Sequence, residues 1–228
     1  MNREADADPQ TLRISMDAKA TVKVGPFSRG GKSRVLLQAA DHDFEATARV
    51  TPVGIFLPTT DELFVYGVTS KVTSDCLVDR LEEWWESVRE RFGHITMLVL
   101  NLDNGPENHS RRTQFLWRMV QFAHRTGLRV RLAYYPPYHS KYNAIERCWG
   151  ILEMHWNGSL LERVETVIAY ARTMRWKGAQ PLVELVTTVY RTGIKLTQEA
   201  MALVESQVQR QEGLEKWFVD IIPPKSMG

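Results

Sequence analysis

Apolar and polar positions alternate along Leu12–Asp17 (LRISMD), the period of a half-buried β-strand. Thr21–Val24 extends or pairs with this strand, and Val35–Gln38 and Leu63–Val68 read as further strands. Pro26–Ser33 is a turn carrying Arg29 and Lys32, and Gly54 and Pro58 punctuate the region before Leu63. From Cys76 to Phe92 the pattern changes: Leu77, Leu81, Trp84, Trp85 and Val88 share one face at helical spacing, and Gly93 stops the helix. Ile95–Leu102 is almost continuously apolar, as a central strand covered on both faces would be, and it runs into Asp103. Arg111–Thr126 predicts a second amphipathic helix ended by Gly127, and Leu128–Tyr135 another strand. After a Pro-Pro break come a helix over Ala144–Trp156, a helical segment over Leu161–Trp176 and a mostly helical, charged tail over Leu182–Gln211. Strands first, then strands alternating with helices, make an α/β chain with a mixed sheet.

Bulk properties bound the chemistry. The 228 residues suit one domain with a small appendage: a lead-in without structure over 1–11, a catalytic domain over 12–180 and a C-terminal helical extension over 181–228. With 29 basic and 27 acidic residues the chain is no polycation, so any nucleic-acid contact must use a local patch. Two cysteines, Cys76 and Cys148, make no disulfide framework and fit a reducing, cytoplasmic setting. No apolar run approaches the ~18 residues of a membrane span. Zinc-ligand spacing and the GxxxxGK[ST] phosphate loop are both missing.

Three acids stand at positions where a fold of this class gathers its chemistry. Asp17 ends the first strand, and Asp103 ends the most apolar one; ligands of α/β sheets collect at the C-terminal ends of strands. Glu146 opens a helix just after Pro136-Pro137, with Asn143 as its N-cap and Ile145 and Trp149 anchoring it to the core. Oxygen-rich sites of this kind suit paired Mg²⁺ ions that work on phosphodiesters. Each acid also has a plain structural reading. Asp17 can terminate a strand, Asp103 with Asn104-Gly105 can form a turn, and Glu146 can complete a helix cap. Trp84, Trp85 and Trp117 read as core.

The segment Pro136-Pro137-Tyr138-His139-Ser140-Lys141-Tyr142-Asn143-Ala144-Ile145-Glu146 resembles the P-P-x-x-S-K-x-N-x-I-E signature of insertion-sequence DDE transposases, in particular the Rhodopirellula-type transposase DDE-domain family. Asp17 in ISMDAK, Asp103 in NLDNG, Trp84-Trp85, Trp156-Asn157-Gly158 and the stretch Trp217–Pro223 agree with that family in order, so the resemblance runs from about Leu12 to near the end. It implies an RNase H-like, retroviral-integrase-like catalytic core. Asp17, Asp103 and Glu146 would be the metal ligands for two Mg²⁺ ions, with Mn²⁺ able to substitute. The implied activity is metal-dependent DNA cleavage and strand transfer in transposition. Lys141, Asn143, Arg147, Arg111 and Arg112 would meet DNA, with Lys141 and Asn143 alternatively orienting Glu146. The implied partners are transposon ends, target DNA and further copies of the chain in a homodimer or larger assembly; no membrane is involved, and the setting is the bacterial cytoplasm and nucleoid. Full-length relatives carry an N-terminal helix-turn-helix reader of transposon ends, so this chain is not expected to find ends alone. The alternative is a catalytically inactive relic that only binds DNA or oligomerises; a plain RNase H-like nuclease ranks below both.

Overall fold

The computed structural model describes residues 1–28, 30, 45–136 and 142–224. The proposed strand Val35–Gln38, the basic turn residues Arg29 and Lys32, and Lys141 lie outside the described residues. The chain runs α1 (Asn2–Ala7), β1 (Thr11–Ala18), β2 (Val22–Val24), β3 (Ala48–Leu57), β4 (Glu62–Val68), α2 (Ser74–Val88), β5 (Met97–Leu102), α3 (Thr113–Thr126), β6 (Arg129–Tyr134), α4 (Glu146–Trp156), α5 (Val164–Thr173), β7 (Leu182–Val186), α6 (Gln198–Gln207), β8 (Val208–Arg210) and β9 (Phe218–Ile221).

Among the described residues these strands form one sheet in the order β7-β4-β3-β1-β5-β6-β9-β8, with β2 paired beside β3. β1, β3 and β4 are antiparallel neighbours, whereas β5 and β6 run parallel to β1 on its other side. That antiparallel meander joined to parallel strands, flanked by helices, is the RNase H-like fold that the family resemblance implies. α2 and α3 cover one face, burying Trp84, Leu81, Phe115 and Phe122 against Leu98, Leu100 and Leu102 of β5. α4 and α5 cover the opposite face through Ile145, Trp149, Leu152, Trp156 and Val167. α2 starts with the Thr73 hydroxyl accepting from the Cys76 amide at 3.2 Å, and α3 ends at Gly127, whose φ of 72° needs no Cβ.

Three expectations change. The ten-residue strand β3 occupies the stretch that Gly54 and Pro58 punctuate in the sequence. Its Pro52 sits where β3 passes from β1 to β2: the carbonyl accepts from Lys19 at 2.8 Å, and the N–H that proline lacks would point the same way, into the gap between those two strands. The first residues form α1, which sets Ala5 on Val99 and Ala133. The tail after residue 181 is no helical extension. β7 adds to one end of the sheet through β4, and β9 with β8 adds to the other end through β6, leaving α6 on α3 as its one α-helix among the described residues. Its strands are three to five residues long, too short for a sustained period-2 alternation to announce them. No helix among the described residues is long and apolar enough to cross a membrane.

Candidate active site

Strand register brings two of the acids together. β1 and β5 are parallel with Ser15 opposite Asn101. Two residues further on stand Asp17, still on β1, and Asp103, just past the end of β5, so continuation of that register sets them side by side on neighbouring strands, which run about 4.8 Å apart. The face of β1 that bears Asp17 is not the one that carries Leu12, Ile14 and Met16 into the core under α2 and α3. It carries Arg13, Ser15 and Asp17, all buried.

The third acid comes from above. α4 begins at Glu146, with a turn in front of it in which the Glu146 amide donates to the Asn143 carbonyl at 3.1 Å. Asn143 is therefore not the N-cap expected from the sequence. It is fully buried, its side-chain oxygen accepts a short hydrogen bond from the Ser15 hydroxyl, and that same hydroxyl accepts from the Ile145 amide at 3.1 Å. This corrects its expected DNA contact: a residue with 0% exposure has no surface to offer, and its hydrogen bond fastens the start of α4 to β1. Gly54 of β3, opposite Asp17, completes the fit. A Cβ there would lie 2.6 Å from both Ile145 Cδ1 and Trp149 Cη2, so only glycine lets α4 approach this closely.

The carboxylates are held differently. Asp17, 6% exposed, accepts from the Trp149 indole N–H at 2.8 Å. Burial raises its pKa first, the Asp103 and Glu146 charges raise it further, the indole pulls it down, and it stands at about 7. Asp103 follows β5 and is clamped by its own loop: its Oδ1 accepts from the Gly105 amide at 3.1 Å and from Asn108 Nδ2 at 3.0 Å. Asn104, at φ 63°, turns that loop and accepts from the Ser110 amide at 3.1 Å. Glu146 is half-buried. Burial and then Asp103 raise its pKa, while Lys19 lowers it. Lys19 itself pairs with Glu153.

Among the expected phosphate contacts, Arg147 and Arg111 are exposed, and Arg112 pairs with Glu107 at 3.3 Å. Ser15, Lys19, Asn108 and Trp149 as a carboxylate partner were missed by sequence reasoning. Asn108 reaches Asp103 within their shared loop, whereas the Trp149 indole reaches Asp17 and the Ser15 hydroxyl reaches the start of α4 only through tertiary contact.

The donor set suits a hard divalent cation. The Asp103 charge raises the proton affinity of both Asp17 and Glu146, and beside Asp103 the buried Asn108 Oδ1 is an oxygen without a partner among the described residues. Among the described residues no three His, Cys, Asp or Glu side chains lie close enough to ligate a single ion.

The sequence model of the family described as "Rhodopirellula transposase DDE domain" matches residues 1–223. Two solved structures are similar. The Mos1 transposase paired-end complex with left transposon end shares 9% identity at a TM-score of 0.49, covering 70% of this chain and 46% of its own. The Mos1 mariner paired end complex with Mn shares 11% identity at a TM-score of 0.48, covering 74% and 49%. The chain thus spans about half the length of these solved structures. No curated protein matches it.

Proposed function

The chain belongs to the Rhodopirellula transposase DDE domain family, and from that premise we propose that it is the catalytic core of a DDE transposase, a metal-dependent enzyme that cuts DNA and joins the freed end to a target. The observation that carries this reading is the placement of Asp17 and Asp103 side by side, on β1 and just past the end of β5, with Glu146 brought over them by α4. Asp17 and Asp103 would share one Mg²⁺ and Glu146 would help to hold a second. Bound there, the ions polarise the phosphate and ready the attacking oxygen, first of water and then of the DNA 3′-hydroxyl.

The protein's own side chains prepare that site. The Trp149 indole fixes Oδ2 of Asp17. Gly105 and Asn108 fix Oδ1 of Asp103 and leave Oδ2 free. The Ser15–Asn143 pair and the tight packing over Gly54 set the height of Glu146 above the sheet. Arg147, Arg111, Arg112 and Lys141 are the proposed backbone contacts on DNA, which position the duplex without reading its sequence. With water and then the DNA 3′-hydroxyl as the attacking groups, the proposed reaction proceeds without a covalent protein–DNA link. Joining two transposon ends requires two or more copies of the chain. The proposed setting is the bacterial cytoplasm, at the chromosome.

The rival reading is a relic that binds DNA or self-associates without chemistry. The two readings part on a pre-nicked DNA duplex with Mn²⁺. The catalytic reading predicts strand joining by the unmodified chain and its loss, on the order of 10³-fold, in Asp103→Asn. Joining retained in that variant contradicts the assignment, and no joining by the unmodified chain favours the relic.

A further inference from the structure

β4 and β1 are both antiparallel to β3, so they point the same way. The C-terminal end of β4 and the start of α2 therefore lie at the same edge of the sheet as Asp17 and Asp103. At that edge a pocket of about 40 Å³ is lined by Lys71, Asp75, Glu107, Arg112, Gln114 and Arg191, among others. It sits on the far side of the loop that clamps Asp103, and the Ser74 hydroxyl ties that loop to α2 by donating to the Glu107 carbonyl at 2.7 Å.

The acids of this pocket are satisfied, whereas its cations keep unused donors. Asp75 accepts from Gln114 Nε2 and from Arg118, each at 2.9 Å, and Glu107 takes Arg112 Nη2 at 3.3 Å. Lys71 and Arg191 are exposed and make no hydrogen bond or ion pair with any described residue. Arg112 Nε is buried without a partner, a donor that requires an acceptor oxygen. Gln114, 8% exposed, leaves its Oε1 equally unmet, a place for a bridging water. Three guanidinium or ammonium groups from three distant segments thus face one small pocket, with an unused buried donor and no free acid.

We propose that this pocket binds one backbone phosphate of the DNA duplex, gripped by Lys71, Arg112 and Arg191, and so fixes the duplex relative to the carboxylates one loop away. The proposal rests on the DNA-processing reading and adds a contact at β4–α2 and at the loop after β7. A phosphate oxygen would meet Arg112 Nε while Lys71 and Arg191 close around the remaining oxygens.

The test is fluorescence anisotropy of a labelled duplex with the purified chain across 50–200 mM KCl, in the unmodified protein, in the double variant Lys71→Gln/Arg191→Gln and in Arg89→Gln. Arg89 lies at the other end of α2, roughly 22 Å away. Both lysine and arginine sites are exposed, and an unchanged thermal midpoint checks the fold. The expected result is about threefold or more weaker binding by the double variant, with a salt slope shallower by about 0.9 for the one lost phosphate, and neither change in Arg89→Gln. Unchanged slope and affinity in the double variant, while the unmodified chain binds, overturn the pocket and leave the transposase reading standing. An equal loss in Arg89→Gln makes the effect a general field and also overturns it. No DNA binding by the unmodified chain overturns both.

Discussion

Alternate residues of β1 face two equally buried environments with opposite chemistry. Leu12, Ile14 and Met16 pack beneath α2 and α3 in the main core. Arg13, Ser15 and Asp17, no less enclosed, are polar, and each has a partner: Arg13 holds Asp6 of α1 at 2.7 Å and Asn101 at 3.1 Å, Ser15 holds Asn143, and Asp17 takes the Trp149 indole. The apolar face stabilises the fold through area removed from water. Burial of the polar face costs free energy that its hydrogen bonds only offset. What that face contributes is position, since every group on it either is a candidate metal ligand or fixes an element that carries one. One strand thus separates stability from function by its period of two.

Substitutions on the two faces break this comparison in opposite ways. The largest expected effect on stability is on the apolar face, where Ile14→Ala leaves a void in a fully buried site. Chemical denaturation should show a loss of roughly 2–5 kcal/mol, with DNA joining intact in whatever remains folded; a loss below 1 kcal/mol would place Ile14 outside the main core.

On the polar face the sign reverses. The Asp17 carboxyl has its pKa raised from 3.8 to about 7 in the fold. The folded state therefore binds a proton more tightly than the unfolded chain, so its contribution is fully present below pH ~4 and is lost as the pH rises through ~7. In metal-free protein at pH 8, Asp17→Asn should be more stable than the unmodified chain, by on the order of 4 kcal/mol at most, and the gap should close towards pH 4. Joining activity should be lost in the same variant. Parallel stability–pH curves for the two proteins would contradict this.

A smaller effect sharpens the contrast between the sheet-held Asp17 and the loop-held Asp103. Removal of the Asn108 clamp by Asn108→Ala should weaken Mn²⁺ binding, read by titration calorimetry, about 10- to 100-fold while the thermal midpoint of the metal-free protein moves little. Undiminished affinity would mean that the loop backbone alone sets Asp103.

The sequence carried much of this, unevenly. The three acids, the helices α2 and α3 and the buried β5 are legible because each has a local signal: a strand end, a 3.6-residue stripe, a continuous apolar run. The alternation in LRISMD predicts one wet face, yet both faces are buried, because α1, just ahead of the strand, and α4, far away in sequence, cover the second. β3 is hidden by Pro52 and Gly54, whose roles depend on neighbours that no local window contains: a gap between β1 and β2 for one, and the Trp149 ring for the other. Ser15 and the Trp149 indole are invisible for the same reason, whereas Asn108 lies in the same loop as Asp103 and is hidden only by the loop's irregular path. Asn143 has the composition of an N-cap, but a buried hydroxyl across the sheet takes its side chain first.

The most direct test of the central claim, that Asp17 and Asp103 form a shared cation site beneath Glu146, is a crystal structure of the chain soaked in Mn²⁺ and read by anomalous scattering. The account predicts a manganese peak between the Asp17 and Asp103 carboxylates, with Glu146 directed towards a second position beside it. Manganese bound elsewhere on the molecule, with these carboxylates turned to different faces, would contradict it.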